Sequence, residues 1–145
     1  MTIIASLLRA AELPDSPTAR LDAELLLAAA LGKSRSFLHT WPERIVPSEA
    51  ALTFAGFLQR RRGGEPVAYI LGQQGFWKLD LEVAPHTLIP RPDTELLVEA
   101  ALQLLPATPA SVLDLGTGSG AIALALAGER PAWKVTAVDR VLEAV

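Results

Sequence analysis

Apolar positions in the first part of the chain recur at helical spacing. Ile4, Leu7, Leu8 and Ala11 form one stripe, stopped by Pro14. Ser16-Pro17 reads as an N-cap followed by proline at the first helical position. The helix it opens runs through Leu21, Leu25 and Ala28 and stops at Gly32. Ser34 begins a short turn carrying Phe37 and Leu38. Ser48 reads as the cap of a further helix with Leu52, Ala55 and Leu58 in its stripe, closed by Gly63-Gly64 after Arg60-Arg61-Arg62. Short helices with short connections predict a small antiparallel bundle.

The period then changes to two. Over residues 75–90, Phe76, Leu79, Leu81 and Val83 alternate with Lys78, Asp80 and Glu82, which predicts a β-hairpin or two short strands. In Leu88-Ile89-Pro90-Arg91-Pro92-Asp93-Thr94-Glu95, two prolines flank Arg91 and make the backbone stiff and extended. Asp93 or Thr94 can cap a helix reaching Leu105. The last forty residues read strand, helix, strand: 111–115, 121–127 and 134–138, with a glycine loop between the first two. Such a unit implies a parallel pair with a right-handed crossover, the beginning of a doubly wound sheet.

Composition agrees with a folded chain. Of 145 residues half are apolar, including 25 leucines and 24 alanines, and 20% are charged, which excludes a disordered or solvating segment. The net charge of −3, from 13 basic and 16 acidic side chains, argues against a duplex-binding module. Charge divides unevenly, +1 over residues 1–73 and −4 over 74–145. There is no cysteine. That removes disulfides, thiolate metal sites and cysteine nucleophiles and fits a reducing compartment. The longest apolar run, 25–31, is far short of the ~18 residues that span a bilayer. No basic segment precedes the first apolar stretch, so no secretory signal is expected. His39 and His86 lack the partner spacing of metal ligands, and no metal site is expected.

The strongest chemical signal is Asp114-Leu115-Gly116-Thr117-Gly118-Ser119-Gly120, with Asp139 nineteen residues further on. The glycines permit a tight strand-to-helix turn and let a ligand touch the backbone. The helix start adds free N–H groups. An acid ending the second strand is placed to accept hydrogen bonds from ribose hydroxyls. Gly116, Gly118 and Ala121 also match a dinucleotide fingerprint, but the Asp114 carboxylate would repel a pyrophosphate. It suits a ligand with an ammonium and a sulfonium and no phosphate: S-adenosyl-L-methionine. The candidate cofactor-binding residues are Gly116, Thr117, Gly118, Ser119, Gly120 and Asp139.

The Asp-x-Gly-x-Gly-x-Gly run resembles motif I of class I methyltransferases. With LIPRPDTE ahead of it, Leu21-Asp22-Ala23-Glu24 in a helical N-domain, and Arg61-Arg62 followed by GEPVAYILG, the chain resembles the release-factor glutamine-N5 methyltransferases (the PrmC/HemK family), in their N-terminal portion only. The resemblance implies methylation of the glutamine side-chain amide in the Gly-Gly-Gln motif of peptide chain release factors. It implies a fold of class α + α/β: residues 1–73 a helical substrate-docking domain, 74–90 a β-hairpin linker, and 91–145 the first part of a Rossmann-like methyltransferase sheet. Those enzymes place the target amide with an Asn-Pro-Pro-Tyr motif after the fourth strand. The 145 residues contain no asparagine, so no catalytic residue is expected among them, and the chain by itself is expected to be inactive. Release factors are the expected partners, with no membrane and no direct nucleic acid, and the expected location is the cytoplasm. A protein-docking module and a methyltransferase acting on nucleic acid are the alternatives.

Several residues have plainer readings. Arg60, Arg61 and Arg62 read as a solvated helix end, favourable beside C-terminal carbonyls, with an acidic partner or ribosomal RNA as the other possibility. Asp22 and Glu24 read as a solvated helix face, with partner docking as the other possibility. Trp41, Trp77 and Trp133 read as packing residues. Arg91, Asp93 and Thr94 either shape the site or cap the following helix.

Overall fold

The computed structural model describes residues 2–144, which divide into two compact units between Leu71 and Gly72. The first unit is helical: α1 (Ile4–Ala10), α2 (Ala19–Leu31), α3 (Arg35–Thr40), α4 (Ser48–Arg62) and α5 (Val67–Leu71). Its core is built from Ile4, Leu13, Leu26, Leu27, Leu38, Phe54 and Leu58. Burying each such side chain contributes about 1.5–3 kcal/mol. Gly32 ends α2 in the left-handed conformation at φ 60°, its N–H reaching back to Ala28 and Ala29, as a helix C-terminal glycine should.

Two capping expectations are corrected. Thr18, not Ser16, precedes α2, and Ser16 turns its hydroxyl to the Asp22 carboxylate at 2.7 Å. Pro47 precedes α4, so Ser48 is already helical. Ser34 does cap α3, accepting from the Phe37 N–H at 3.3 Å. The apolar stripes are also rotated from the expected ones. Leu21 and Leu52 face solvent, whereas Leu26, Leu27 and Phe54 are buried.

The rotation of α2 follows from its acids. Asp22 and Glu24 are not a solvated face; both are buried, at 6% and 3% exposure. Asp22 accepts from Arg61 Nε at 2.8 Å, Ser16 Oγ at 2.7 Å and Thr18 Oγ1 at 2.9 Å. Glu24 accepts from Arg35 Nη2 at 2.8 Å and Arg20 Nε at 3.1 Å, with His39 Nε2 at 3.3 Å. The arginine triplet is likewise engaged: Arg60 with Glu65, Arg61 with Asp22, and Arg62 on the Glu12 carbonyl.

Burial works against ionising both acids. The hydrogen bonds of Arg61, Ser16 and Thr18 on Asp22, and of Arg35 and Arg20 on Glu24, outweigh it and leave both carboxyls below their ordinary values. Groups whose acidity is raised by folding stabilise the fold above their unfolded pKa of about 4 and lose that contribution as pH falls through the lower folded value. The helical unit should therefore hold a constant Tm from neutrality to about pH 5 and lose stability below about pH 4. Circular dichroism melts across that range check it. Asp22→Ala, which strands Arg61, should cost about 3 kcal/mol at neutral pH; a cost under about 0.5 kcal/mol would make the ion pair ornamental.

The second unit starts with an antiparallel hairpin, β1 (Gln73–Phe76) and β2 (Leu79–Glu82), in the register Phe76 opposite Leu79. A segment over 83–91 and a 3-10 turn (Pro92–Thr94) lead into α6 (Glu95–Leu104). Then follow β3 (Ser111–Leu115), α7 (Ala121–Glu129) and β4 (Lys134–Val138), with β3 and β4 parallel and Asp114 opposite Ala137. One face of this pair packs through Val112 and Val135 on the core of Phe76, Leu81, Val98, Ala125, Leu126 and Trp133. The other face shows Leu113, Leu115 and Val138 to solvent. No helix among the described residues is long and apolar enough to cross a membrane.

Candidate functional site

The five residues between β3 and α7 form a loop held by hydrogen bonds at four of them, Gly116, Thr117, Gly118 and Gly120. The N–H groups of Gly116 and Thr117 both donate to the Val138 carbonyl, at 2.8 and 3.0 Å, stapling the loop's start to the end of β4. Gly120 N–H donates to the Thr117 carbonyl at 2.9 Å. Thr117 Oγ1 donates to Asp114 Oδ2 at 2.8 Å. Gly118 N–H donates to Asp139 Oδ2 at 2.8 Å, and Val141 N–H to Asp139 Oδ1 at 2.9 Å. The two carboxylates that bracket the motif in sequence thus both brace one loop, Asp114 through the Thr117 hydroxyl and Asp139 through the Gly118 N–H.

Gly118 is where the glycine requirement is sharpest. Its φ is 55°, a region that side-chain-bearing residues enter at a cost of about 1–2 kcal/mol. A Cβ built there meets no atom within 4 Å, so the protein leaves the space in front of it open. A cleft of about 180 Å3 lies over the loop. Gly116, Thr117, Gly118, Ser119 and Asp114 form one wall; Leu88, Ile89, Pro90, Arg91 and Thr94 form the other. Gly120 opens α7 from the left-handed region at φ 78° with Leu124 3.2 Å from its would-be Cβ.

Of the candidate residues, Gly116, Thr117, Gly118 and Ser119 come together on the cleft, while Gly120 and Asp139 are not among its lining residues. The backbone N–H groups of Val141 and Gly118 hold the Asp139 carboxyl below its ordinary value. Each Asp139 oxygen accepts one of these bonds. An ionised carboxylate has about four acceptor positions, and the Arg140 backbone N–H also bears on this one, so acceptor capacity remains for a further hydroxyl. Asp93 does not line the cleft, whereas Arg91 and Thr94 do. Thr94 precedes α6 without a side-chain capping bond.

The donor set fits a cationic, phosphate-free nucleoside ligand. Asp114 puts negative charge beside open backbone, which matches an ammonium or sulfonium. The small Gly116–Gly118 surface admits close approach, and Asp139 keeps acceptor capacity. Among the described residues there is no cluster of three or more His, Asp or Glu able to hold a metal ion.

One group escaped the sequence reading. Trp77, in the hairpin turn, donates its backbone N–H to Glu95 Oε1 at 2.6 Å and its indole Nε1 to Glu129 Oε1 at 2.8 Å. Lys78 donates to the same Glu129 oxygen. Nothing in the local pattern signals it, because the partners lie 18 and 52 residues away.

Comparison with known proteins matches residues 3–72 to the PrmC N-terminal domain and residues 92–145 to the methyltransferase small domain. A release factor glutamine methyltransferase of Pseudomonas aeruginosa is 75% identical over 145 residues, all of this chain and 52% of the relative. Proteins of the same name from Shewanella oneidensis and Escherichia coli are 56% and 51% identical, covering 90% and 92% of this chain and 46% and 48% of their own lengths. The chain spans about half the length of the curated relatives it matches.

Proposed function

The chain belongs to the release factor glutamine methyltransferase family, and on that premise we propose that its second unit holds S-adenosyl-L-methionine for methylation of a glutamine side-chain amide. The observation that carries the reading is the Gly116–Gly118 segment, open to the cleft and tied to Asp114 through the Thr117 hydroxyl and to Asp139 through the Gly118 N–H. A phosphate ligand would meet two carboxylates there. A ligand with a ribose, an ammonium and a sulfonium meets acceptors for each. Bound there, the cofactor supplies an electrophilic methyl group. Gly116, Thr117, Gly118 and Ser119 bear on it, Asp114 offers charge to its ammonium, and Asp139 accepts from its ribose hydroxyls.

The substrate we propose is the glutamine of the Gly-Gly-Gln motif in peptide chain release factors, which places the reaction in the cytoplasm. An amide nitrogen is a poor nucleophile because its lone pair is delocalised into the carbonyl. Acceptors must hold its hydrogens and aim the lone pair. The proposal assigns that task to residues outside these 145. The helical unit has its own core and is assigned to docking the body of the release factor.

Titration with S-adenosylhomocysteine, followed by the backbone amide signals of Gly116 and Gly118, tests the cofactor assignment even at millimolar affinity. Saturable shifts on this loop, absent with ATP and with NAD, are expected. Equal shifts with ATP would remove the assignment. Asp139→Ala should weaken binding at least about tenfold, the scale of hydrogen bonds to a charged acceptor. Unchanged affinity would take Asp139 out of the site.

A further inference from the structure

The outer wall of the cleft is a strap, residues 88–94, and its two ends are fixed differently. At the first end, Thr87 is buried, its N–H and hydroxyl donate to the Ala84 carbonyl, and its hydroxyl accepts from the Ala84 N–H. Val83 N–H, just before, donates to the Gly72 carbonyl at 3.1 Å. At the second end stands Glu95, the first residue of α6, whose carboxylate accepts the Trp77 N–H at 2.6 Å. That bond closes a ring: the chain leaves the hairpin turn at Trp77, passes through β2 and the strap, and returns to the same turn at Glu95. Pro90 and Pro92 stiffen the strap between its anchors.

The turn itself shows that this closure is built in. Trp77 and Lys78 are its two central residues. Trp77 has φ 57° and is the one non-glycine residue with positive φ among the described residues. A two-residue hairpin with positive φ at the first central position normally places glycine there. A bulky aromatic in that conformation is strained, and such strain persists only where the surroundings over-determine it. Here Glu95 takes the backbone N–H, and Glu129, at the end of α7, takes the indole N–H and Lys78.

We propose that Glu95 is a positioning residue for the cofactor cleft: by clasping the Trp77 turn it fixes the strap 88–94 over the glycine loop and so sets cofactor affinity. The inference rests on the cofactor assignment above. Glu95 touches no ligand; it acts through Arg91 and Thr94, which line the cleft one turn or less before it. Freed at one end, the strap gains conformations that the cofactor must select against, and affinity falls by the fraction of time the wall is in place.

The test compares Glu95→Ala, Glu95→Gln and Trp77→Gly in the 145-residue chain. Affinity for S-adenosylhomocysteine is read from the Gly116 and Gly118 amides, and hydrogen exchange from residues 73–94. Glu95→Ala should speed exchange at Trp77 and through 88–94 and weaken binding at least about tenfold, with β3, α7 and β4 amides exchanging as they do in the unsubstituted chain. Glu95→Gln keeps an acceptor oxygen and should restore affinity to within about threefold. Trp77→Gly keeps the backbone donor and removes the strain, so it should bind like the parent. Three results would overturn the clasp: wild-type affinity in Glu95→Ala although its strap exchanges fast, a Glu95→Gln variant as weak as the alanine one, or a Trp77→Gly variant as weak as it. Failure of the unsubstituted chain to bind S-adenosylhomocysteine is a separate result, which removes the cofactor assignment itself.

Discussion

Gly118→Val should reduce cofactor binding at least about a hundredfold and leave the helical unit's melting unchanged. Two costs fall on one residue. The loop holds φ at 55°, where a β-branched side chain is strained by the Cβ–carbonyl contact that disfavours left-handed backbone. The Cβ then points into space that no protein atom occupies within 4 Å and that the cleft gives to the ligand. Relaxing the strain would move the Gly118 N–H away from Asp139, so the loop and the acid we assign to the ribose would be lost together. The helical unit has a core that draws on no residue after Ile70 for its buried members, so its unfolding should not register the change. Gly118→Ala should fall between valine and the parent. Normal binding by the valine variant, read by titration with S-adenosylhomocysteine, would reduce the motif to a structural turn.

What was legible in the sequence was whatever depends on near neighbours. The hairpin showed because Phe76, Leu79, Leu81 and Val83 alternate with charged residues, and three of the four are buried as that alternation requires. The β3–α7–β4 unit showed because glycine spacing and Asp139 fall at fixed distances within about thirty residues. Asp22 and Glu24 were misread for the opposite reason. Two acids on a short helix look solvated, and the Arg61 that makes Asp22 a buried ion pair lies 39 residues away. Leu21 failed with them, since turning Asp22 and Glu24 inward turns it out, while Ala28 of the same stripe is buried, as is Leu58 on α4. Helix α5 has five residues after a Gly-Glu-Pro turn, too few for periodicity to register. Trp77 packs on the core of the second unit as expected, but its place in the turn was not legible, because turn chemistry predicts glycine rather than tryptophan at positive φ. In the site, the glycine wall was legible and the facing wall was only half so: Arg91 and Thr94 stood out through their prolines, while Leu88 and Ile89 read as strand.

A polypeptide consisting of these 145 residues should show no methyl transfer to release factor. The first obstacle is chemical. The chain contains no asparagine, the residue type that the resemblance implies for holding the amide, and without acceptors on both amide hydrogens the glutamine nitrogen keeps its lone pair in the carbonyl. The structure adds a physical reason. Parallel strands normally lie between covered faces, yet Leu115 is 73% exposed, Leu113 57% and Val138 41%, all on one face of β3 and β4. Both strands also present an unpaired edge, since each has one neighbour among the described residues. A pair so open should fray, and the glycine loop stapled to the Val138 carbonyl should fray with it. Hydrogen exchange should therefore be slow across the helical unit and faster over 110–144. At high concentration the apolar face should drive self-association, visible by sedimentation. Incubation with release factor and labelled S-adenosyl-L-methionine decides the chemistry. Stoichiometric label on the Gly-Gly-Gln glutamine would show that the chain's own residues can orient the amide, and the assignment of that task to residues outside it would fall.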